Sequence, residues 1–321
     1  MKTIRLGSQG AQVPQLGLGC MRMSDRPPAR DDAESVATII AALDAGVRFL
    51  NTGDFYAHGH NEALVARALQ GRRDDAFLSV KFGGLRAASG QFLGIDVRPA
   101  AVKNFAAYSL QRLGVDVIDL YQPGRLDPAV PVEDTVGAVA ELIAEGKVRY
   151  LGLSEVTAAQ LRAAHREYPV TALEIEYSLA TRFIEPEILP AARELGIGIV
   201  AYGITGHGLL AGTTPPESMR RSPRLHPDNL DKNLETAAAL QVVARRKNCS
   251  PAQIALAWVL AQGDDILALI GMSRRTRIPE NLAAVDITLT DADLAELDHT
   301  FALGAFAGDR LPPEMLHNSA H

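Results

Sequence analysis

A tyrosine and a lysine make the sharpest chemical suggestion in this chain: Tyr56 in NTGDFYAHGH and Lys81 in FLSVKFG. A free phenol titrates near ~10, too high for efficient proton donation at neutral pH. An ammonium beside it favours phenolate and lowers that value, so the two together make a usable acid. A lone tyrosine with a lysine nearby is more often packing plus a snorkelled charge, so the pair needs support from its position. Other polar residues end short apolar runs: Asn51, Thr52 and Asp54; Gln122, Gly124 and Arg125; Ser154 and Glu155; Glu174 and Glu176; Tyr202 and Gly203; Gly271, Ser273 and Arg274. His58 and His60 lie two apart in a glycine loop without cysteine or carboxylate partners at metal-ligand spacing, so no metal is expected. Arg274, Arg275 and Arg277 precede a helical turn at 279–282, where free N–H groups and guanidinium forks suit a phosphate.

Positioning such groups falls to a rhythm of short apolar runs alternating with segments of helical period. Eight runs stand out: LGLGC (16–20), VRFLN (47–51), FLSVK (77–81), VIDLY (117–121), VRYLGLS (148–154), ALEIE (172–176), IGIVAY (197–202) and ILALIG (266–271). Runs apolar nearly throughout suit parallel strands covered on both faces. The segments between them carry helix signals: Gly46, Gly146, Gly196 and Gly263 as stops, Pro99 and Pro251 near first turns, Ser250 as a cap. Eight strands each followed by a helix predict a (β/α)8 barrel. An open doubly wound sheet would want a G-x-G-x-x-G turn after its first strand, and Gly17 and Gly19 give only half of one. Reactive groups of such a barrel sit at the C-terminal strand ends, where the residues above fall. Residues 2–15 predict a hairpin around Ser8-Gln9-Gly10 that caps the barrel's bottom, and the long Gly- and Pro-rich stretch 203–229 predicts a functional loop over the top. No linker divides the chain, so residues 1–321 are read as a single barrel domain.

Composition narrows the partners. The net charge of −6 argues against a general nucleic-acid binder, and 47% hydrophobic with 22% charged residues describes a globular chain with a sizeable core. Two distant cysteines, Cys20 and Cys249, make neither a disulfide framework nor a zinc site. With no apolar run of secretory or membrane-spanning length, a cytosolic protein without membrane partners is expected, its oligomeric state open.

In order and over essentially the whole length, these segments resemble the aldo-keto reductases. NTGDFYAHGHNEALVARAL is similar to the family's D-T-A-x-x-Y-G…N-E stretch, and LSVKFG to its lysine strand. EGKVRYLGLSEV, EIEYSL, IGIVAYGITGHGLLAG and GMSRRTRIPENLAAVDITLT resemble four further blocks. The resemblance implies NADP(H)-dependent interconversion of a small carbonyl compound and its alcohol, with Tyr56 as acid, Lys81 as its tuner and Asn51 as a supporting group. It also implies nicotinamide contacts from Ser154, Glu155 and Glu174, stacking by Tyr202 beside Gly203, and an adenosine end at Gly271, Ser273, Arg274, Arg277, Glu280 and Asn281. Arg274 and its neighbours favour NADPH over NADH. Met21, His58, Gln122, Gly124 and Arg125 are expected to line the substrate pocket.

Two positions depart from the family pattern. Asn51 stands where the family has the aspartate that pairs with the lysine, and Gly124 where it has a histidine. The first departure predicts a lysine without its anion, whose uncompensated field favours phenolate at Tyr56. The second predicts a lost donor and open space beside the carbonyl, and hence a bulky or polyhydroxylated ketone as substrate. A cofactor-binding sensor with weak turnover is the alternative those departures suggest. A barrel hydrolase or lyase is weaker still, since it needs a metal or a carboxylate pair.

Overall fold

The computed structural model describes residues 1–8, 10–24, 31–213, 222–313 and 319–320. Gln9 of the predicted hairpin turn and residues 214–221 of the long connection lie outside them. The strands are β1 (Thr3–Leu6), β2 (Ala11–Pro14), β3 (Leu16–Gly19), β4 (Phe49–Gly53), β5 (Phe77–Phe82), β6 (Gly84–Arg86), β7 (Phe92–Ile95), β8 (Ile118–Pro123), β9 (Val148–Ser154), β10 (Ala172–Glu176), β11 (Gly198–Tyr202) and β12 (Ile266–Gly271). The helices are α1 (Asp32–Asp44), α2 (His60–Ala68), α3 (Pro99–Leu113), α4 (Val132–Ala144), α5 (Ala158–Glu167), α6 (Ile188–Glu194), α7 (Pro227–Ala238), α8 (Leu240–Arg246), α9 (Pro251–Ala261), α10 (Ile278–Ala283) and α11 (Asp291–Thr300).

Eight parallel strands close in the order β10-β11-β12-β3-β4-β5-β8-β9, with β12 pairing β3 to seal the ring. This is the (β/α)8 barrel that the eight apolar runs predict. Three of its strands, β4, β8 and β10, are buried along their whole length, and β3, β5, β11 and β12 at all but one terminal residue, which is why they read as continuous apolar runs. Helix ends follow local chemistry: Ser250 and Gln253 form a capping box ahead of Pro251, and Gly114 terminates α3 in the left-handed region.

Two apolar clusters result. The larger lies between the strands and the surrounding helices, with Trp258 and Tyr121 fully buried in it. The smaller fills the barrel's lower interior, where Phe49, Leu120, Val200 and Leu267 meet Ile4, Leu6 and Val13 of the β1–β2 hairpin. The hairpin therefore plugs the N-terminal end. Gly7 and Gly198 permit the close approach, since a Cβ on Gly7 would stand 2.2 Å from the Thr171 carbonyl oxygen.

Two features differ from expectation. The segment after β5 folds back as an antiparallel β6–β7 hairpin, which GGLRAASGQFLGI does not announce as strands. The long connection after β11 is not loop throughout: α7 begins at Pro227, capped by the His226 ring, and α8 follows. Among the described residues no helix is long and apolar enough to cross a membrane.

Candidate active site

Four strands send five polar side chains into one layer at the upper end of the barrel. Inward-facing residues alternate along a strand, so Ser79 and Lys81 of β5 point the same way. Asn51 comes from β4, Gln122 from β8 and Glu174 from β10; all five residues are 6% exposed or less. The Lys81 ammonium donates to Asn51 Oδ1 at 2.5 Å and to Glu174 Oε1 at 2.5 Å. Asn51 Nδ2 donates to Glu174 Oε2 at 2.7 Å and to Ser79 Oγ at 3.1 Å. Gln122 Nε2 reaches the same Glu174 oxygen at 2.5 Å and Ser79 Oγ at 3.2 Å.

Lys81 thus has a carboxylate partner, and the expectation of a lysine without an anion is corrected. The charge sits on β10 instead of β4, and Asn51 bridges it to the ammonium. Although burial opposes the charged form, Glu174 and the Tyr56 phenol hold the Lys81 ammonium above its ordinary range. Tyr56 itself is displaced upward, chiefly by burial and further by Glu174, with Lys81 pulling the other way. The expected lean toward phenolate is therefore reversed: the hydroxyl stays protonated at neutral pH.

Tyr56 lies on the loop between β4 and α2, with Lys81 Nζ 5.5 Å from its ring centroid. Ala57, His58 and Gly59 all adopt positive φ, a costly run for the two non-glycine residues. Gly59 sits at φ +84, where an L side chain is strained, and a Cβ there would also stand 2.6 Å from the Arg112 side chain. His58 is exposed and its Nε2 lies 2.8 Å from the Ala87 carbonyl oxygen, tying this loop to the β6–β7 hairpin. His60 bridges Ser24 Oγ at 2.8 Å and Asp32 at 3.1 Å. Asp54 is buried beside Glu62, and burial followed by that neighbouring carboxylate raises its pKa to about 7.

Gly124 does not leave open space. The Phe55 ring lies against it, so that a Cβ on Gly124 would stand 2.9 Å from Phe55 Cε1 and Cζ. The same ring packs edge-on to Tyr56, with centroids 5.0 Å apart at 82°. The inference from an emptied histidine position to a bulky ketone loses its premise, because an aromatic ring from β4's own loop fills the room. Cys20 is buried at the end of β3, and burial pushes its thiol up to about 12, which makes it an inert packing residue.

Of the residues expected around the nicotinamide, Glu174 belongs instead to the Lys81 layer, where both its carboxylate oxygens are engaged, and the others form a second cluster. Glu155 holds φ +57 at the end of β9, and its carboxylate accepts from the Tyr202 hydroxyl at 2.8 Å and from the Glu176 backbone N–H at 3.0 Å. Arg310, 8% exposed, pairs with Glu155 and with Glu176 at 3.2 Å, and donates to the Ala320 carbonyl at 2.5 Å. Ala320 N–H donates to the Glu155 carbonyl at 3.0 Å, and Arg125 Nε to Ser319 Oγ at 2.8 Å. Ser319 and Ala320 therefore lie against the ends of β8 and β9. Ser154 is buried beneath them, and Gly203, at φ +70, faces the Glu176 side chain.

Beyond β12 the surface opens. Gly271 is exposed and a Cβ there would meet nothing within 4 Å, while Ser273 and Arg274 are also exposed. Arg274 has no carboxylate partner among the described residues, whereas Arg275 pairs with Glu34 and Arg277 with Glu280. Asn281 Nδ2 donates to the Arg277 carbonyl at 2.9 Å, bracing the turn. Met21, 51% exposed, stands on the rim.

Sequence reasoning brought Tyr56, Lys81, Asn51 and Gln122 to one place, and missed Phe55, Ser79 and Arg310. Ser79 carried a signal in its i, i+2 spacing from Lys81. Phe55 and Arg310 carried none, because both act through tertiary contacts with residues far along the chain.

The Aldo/keto reductase family model matches residues 15–301. A Glycine max protein named "Probable aldo-keto reductase 1" is 38% identical, the match covering 97% of this chain and 92% of that one. The glycerol dehydrogenase AKR11B4 from Gluconobacter oxydans superposes with a TM-score of 0.85 at 28% identity, covering 97% of this chain and 98% of its own. An aldo/keto reductase from Klebsiella pneumoniae, solved in complex with NADP and acetate, gives a TM-score of 0.75 at 28% identity, covering 97% and 99%.

Proposed function

The chain belongs to the aldo-keto reductase family, and from that premise we propose that it reduces the carbonyl of a small molecule with NADPH, Tyr56 serving as the proton donor. The observation carrying this reading is the buried Lys81 ammonium 5.5 Å from the centre of the Tyr56 ring, anchored by Glu174. NADPH, when bound, supplies hydride to the carbonyl carbon. Tyr56 gives its hydroxyl proton to the carbonyl oxygen, and Lys81 stabilises the phenolate left behind. Burial keeps that phenol neutral until the reaction draws on it.

The residues fit such a cofactor at both ends. Gly271, Ser273 and Arg274 form an open shelf whose guanidinium meets no carboxylate among the described residues, suited to a 2′-phosphate. Arg277, Glu280 and Asn281 brace its far side. Ser154, Glu155, Tyr202 and Gly203 would hold the nicotinamide end, beside Ser319 and Ala320. Gln122, Arg125, Met21 and Phe55 would shape the substrate space, with Phe55 in place of an imidazole. The sensor alternative rested partly on a missing anion, and Glu174 removes that ground.

The test follows nicotinamide absorbance across a panel of aldehydes and ketones, comparing wild type with Tyr56→Phe. Loss of a general acid lowers turnover by roughly 10²–10⁴-fold. NADPH affinity, read by fluorescence titration, is expected to stay within a few-fold. A Tyr56→Phe protein with undiminished turnover sinks the reading.

A further inference from the structure

We propose that Glu174 is the positioning residue that sets the charge balance of the Lys81–Tyr56 pair, and that this duty belongs to the polar layer and not to one strand, so the carboxylate can be moved to position 51 with its effect preserved. The proposal rests on the reductase reading for its kinetic form, though its charge argument does not.

The geometry carries the argument. Glu174 is 3% exposed, and a carboxylate that deeply buried persists only when paired and hydrogen-bonded. Its Oε1 takes the Lys81 ammonium at 2.5 Å, and its Oε2 takes two amide donors, Asn51 at 2.7 Å and Gln122 at 2.5 Å. Asn51 is the hinge, since its Oδ1 accepts from Lys81 at 2.5 Å while its Nδ2 donates to Glu174. Both side chains thus touch the same ammonium and each other. Exchanging carboxylate and amide between them keeps one negative charge against Lys81 and keeps an N–H···O bond between positions 51 and 174. Gln122 can follow by turning its amide, because its Oε1 is buried without a hydrogen-bond partner.

The other charged or titratable groups facing this pair are Arg125, from the end of β8, and Cys20, from the end of β3. Neither supplies a negative charge in the neutral range, since burial holds the Cys20 thiol up to about 12. Glu174 is therefore the anion acting on both members. It holds the lysine in its charged form and raises the proton affinity of the phenol. Removing its charge alone should leave the phenol more acidic; moving the charge should not.

The experiment compares wild type, Glu174→Gln and the double variant Asn51→Asp/Glu174→Gln. Each is read twice: by the pH dependence of kcat/KM for carbonyl reduction with NADPH, and by ultraviolet titration of Tyr56 phenolate as a difference against the matching Tyr56→Phe protein. Glu174→Gln is expected to move the alkaline limb and the phenolate titration downward by about one unit or more, the usual effect of an ion within a few ångströms. The double variant is expected to return both to within roughly half that displacement of wild type. An unmoved titration in Glu174→Gln overturns the proposal, as does a double variant that folds but titrates like the single one. Should Glu174→Gln fail to fold, the double variant decides. A folded protein with wild-type titration supports the proposal, and a second failure to fold overturns it. If wild type reduces no carbonyl, the reductase reading fails by itself, and the phenolate titration still decides the role of Glu174.

Discussion

Replacing Asp54 by asparagine should stabilise the protein at alkaline pH and do little at acid pH. Asp54 is 8% exposed, two residues before Tyr56, and neither carboxylate oxygen has a well-formed hydrogen bond among the described residues. Burial, then repulsion from Glu62, lifts its pKa from 3.8 to about 7, with weak contacts from the Gly83 backbone N–H, and then Arg112, only partly offsetting them. A folded-state pKa above the unfolded value means that the native state binds this proton more tightly. Its contribution is therefore fully present below about 4 and is lost as pH rises through about 7. A displacement of roughly three units, at 1.36 kcal/mol each, gives a loss of about 4 kcal/mol across that interval. An amide cannot ionise, so the Asp54→Asn protein escapes this loss. The stability difference, variant minus wild type, should grow by about 4 kcal/mol between pH 4 and pH 8. Urea unfolding of both proteins at several pH values measures it, and taking the difference cancels the other titrating groups. A difference that stays flat with pH would refute the placement of this carboxyl as buried and poorly satisfied.

Three further outcomes follow from particular contacts. Gly124→Ala drives a methyl group to 2.9 Å from the Phe55 ring and should cost about 1–3 kcal/mol, most of it recovered when Phe55→Ala is added; additive losses in a double-mutant denaturation cycle would contradict the packing. Arg274→Ala should weaken NADPH binding by about ten- to a hundredfold, the equivalent of a charge-assisted hydrogen bond. NADH binding should barely move, and equal losses for the two cofactors in fluorescence titration would remove Arg274 from the phosphate site. Arg310→Met leaves Glu155 and Glu176 buried without their shared cation and should destabilise the fold by about 3–5 kcal/mol, read by denaturant melts.

The barrel was legible because its strands are buried on both faces. VRYLGLS, ALEIE and ILALIG match β9, β10 and β12 residue for residue, and the glycine stops and Ser250 cap locate helix ends. Legibility failed where local pattern has no hold. The β6–β7 hairpin pairs through backbone bonds while leaving Phe92 and Leu93 exposed, so no alternation of apolar and polar residues marks it. The start of α7 was lost among the prolines and charges of 203–229, although Pro227 stands in a favoured first-turn position. At the site, residue types located the phenol and the ammonium, but reading a substitution as a deletion went wrong twice. Asn51 implied a missing charge and Gly124 a missing side chain, and each vacancy is filled from elsewhere.

Both fillings have one physical origin. Inward-facing side chains of a closed barrel converge on a common axis, so residues remote in sequence become neighbours within one layer. Asn51 pairs in register with Ser79, Lys81 with Gln122, and Glu174 with Ser154, which brings polar groups from neighbouring strands around one ammonium. Electrostatics in such a layer depends on the distance between charge and ammonium and not on which strand delivers the carboxylate. Selection can then trade a carboxylate for an amide at one position whenever the reverse trade occurs across the axis. Sterics obeys the same rule, for Phe55 reaches the room above Gly124 from a different βα loop and fills it with a ring. A motif read position by position registers each trade as a loss. Only the summed charge and volume of the layer decide whether Tyr56 meets the surroundings that proton donation requires.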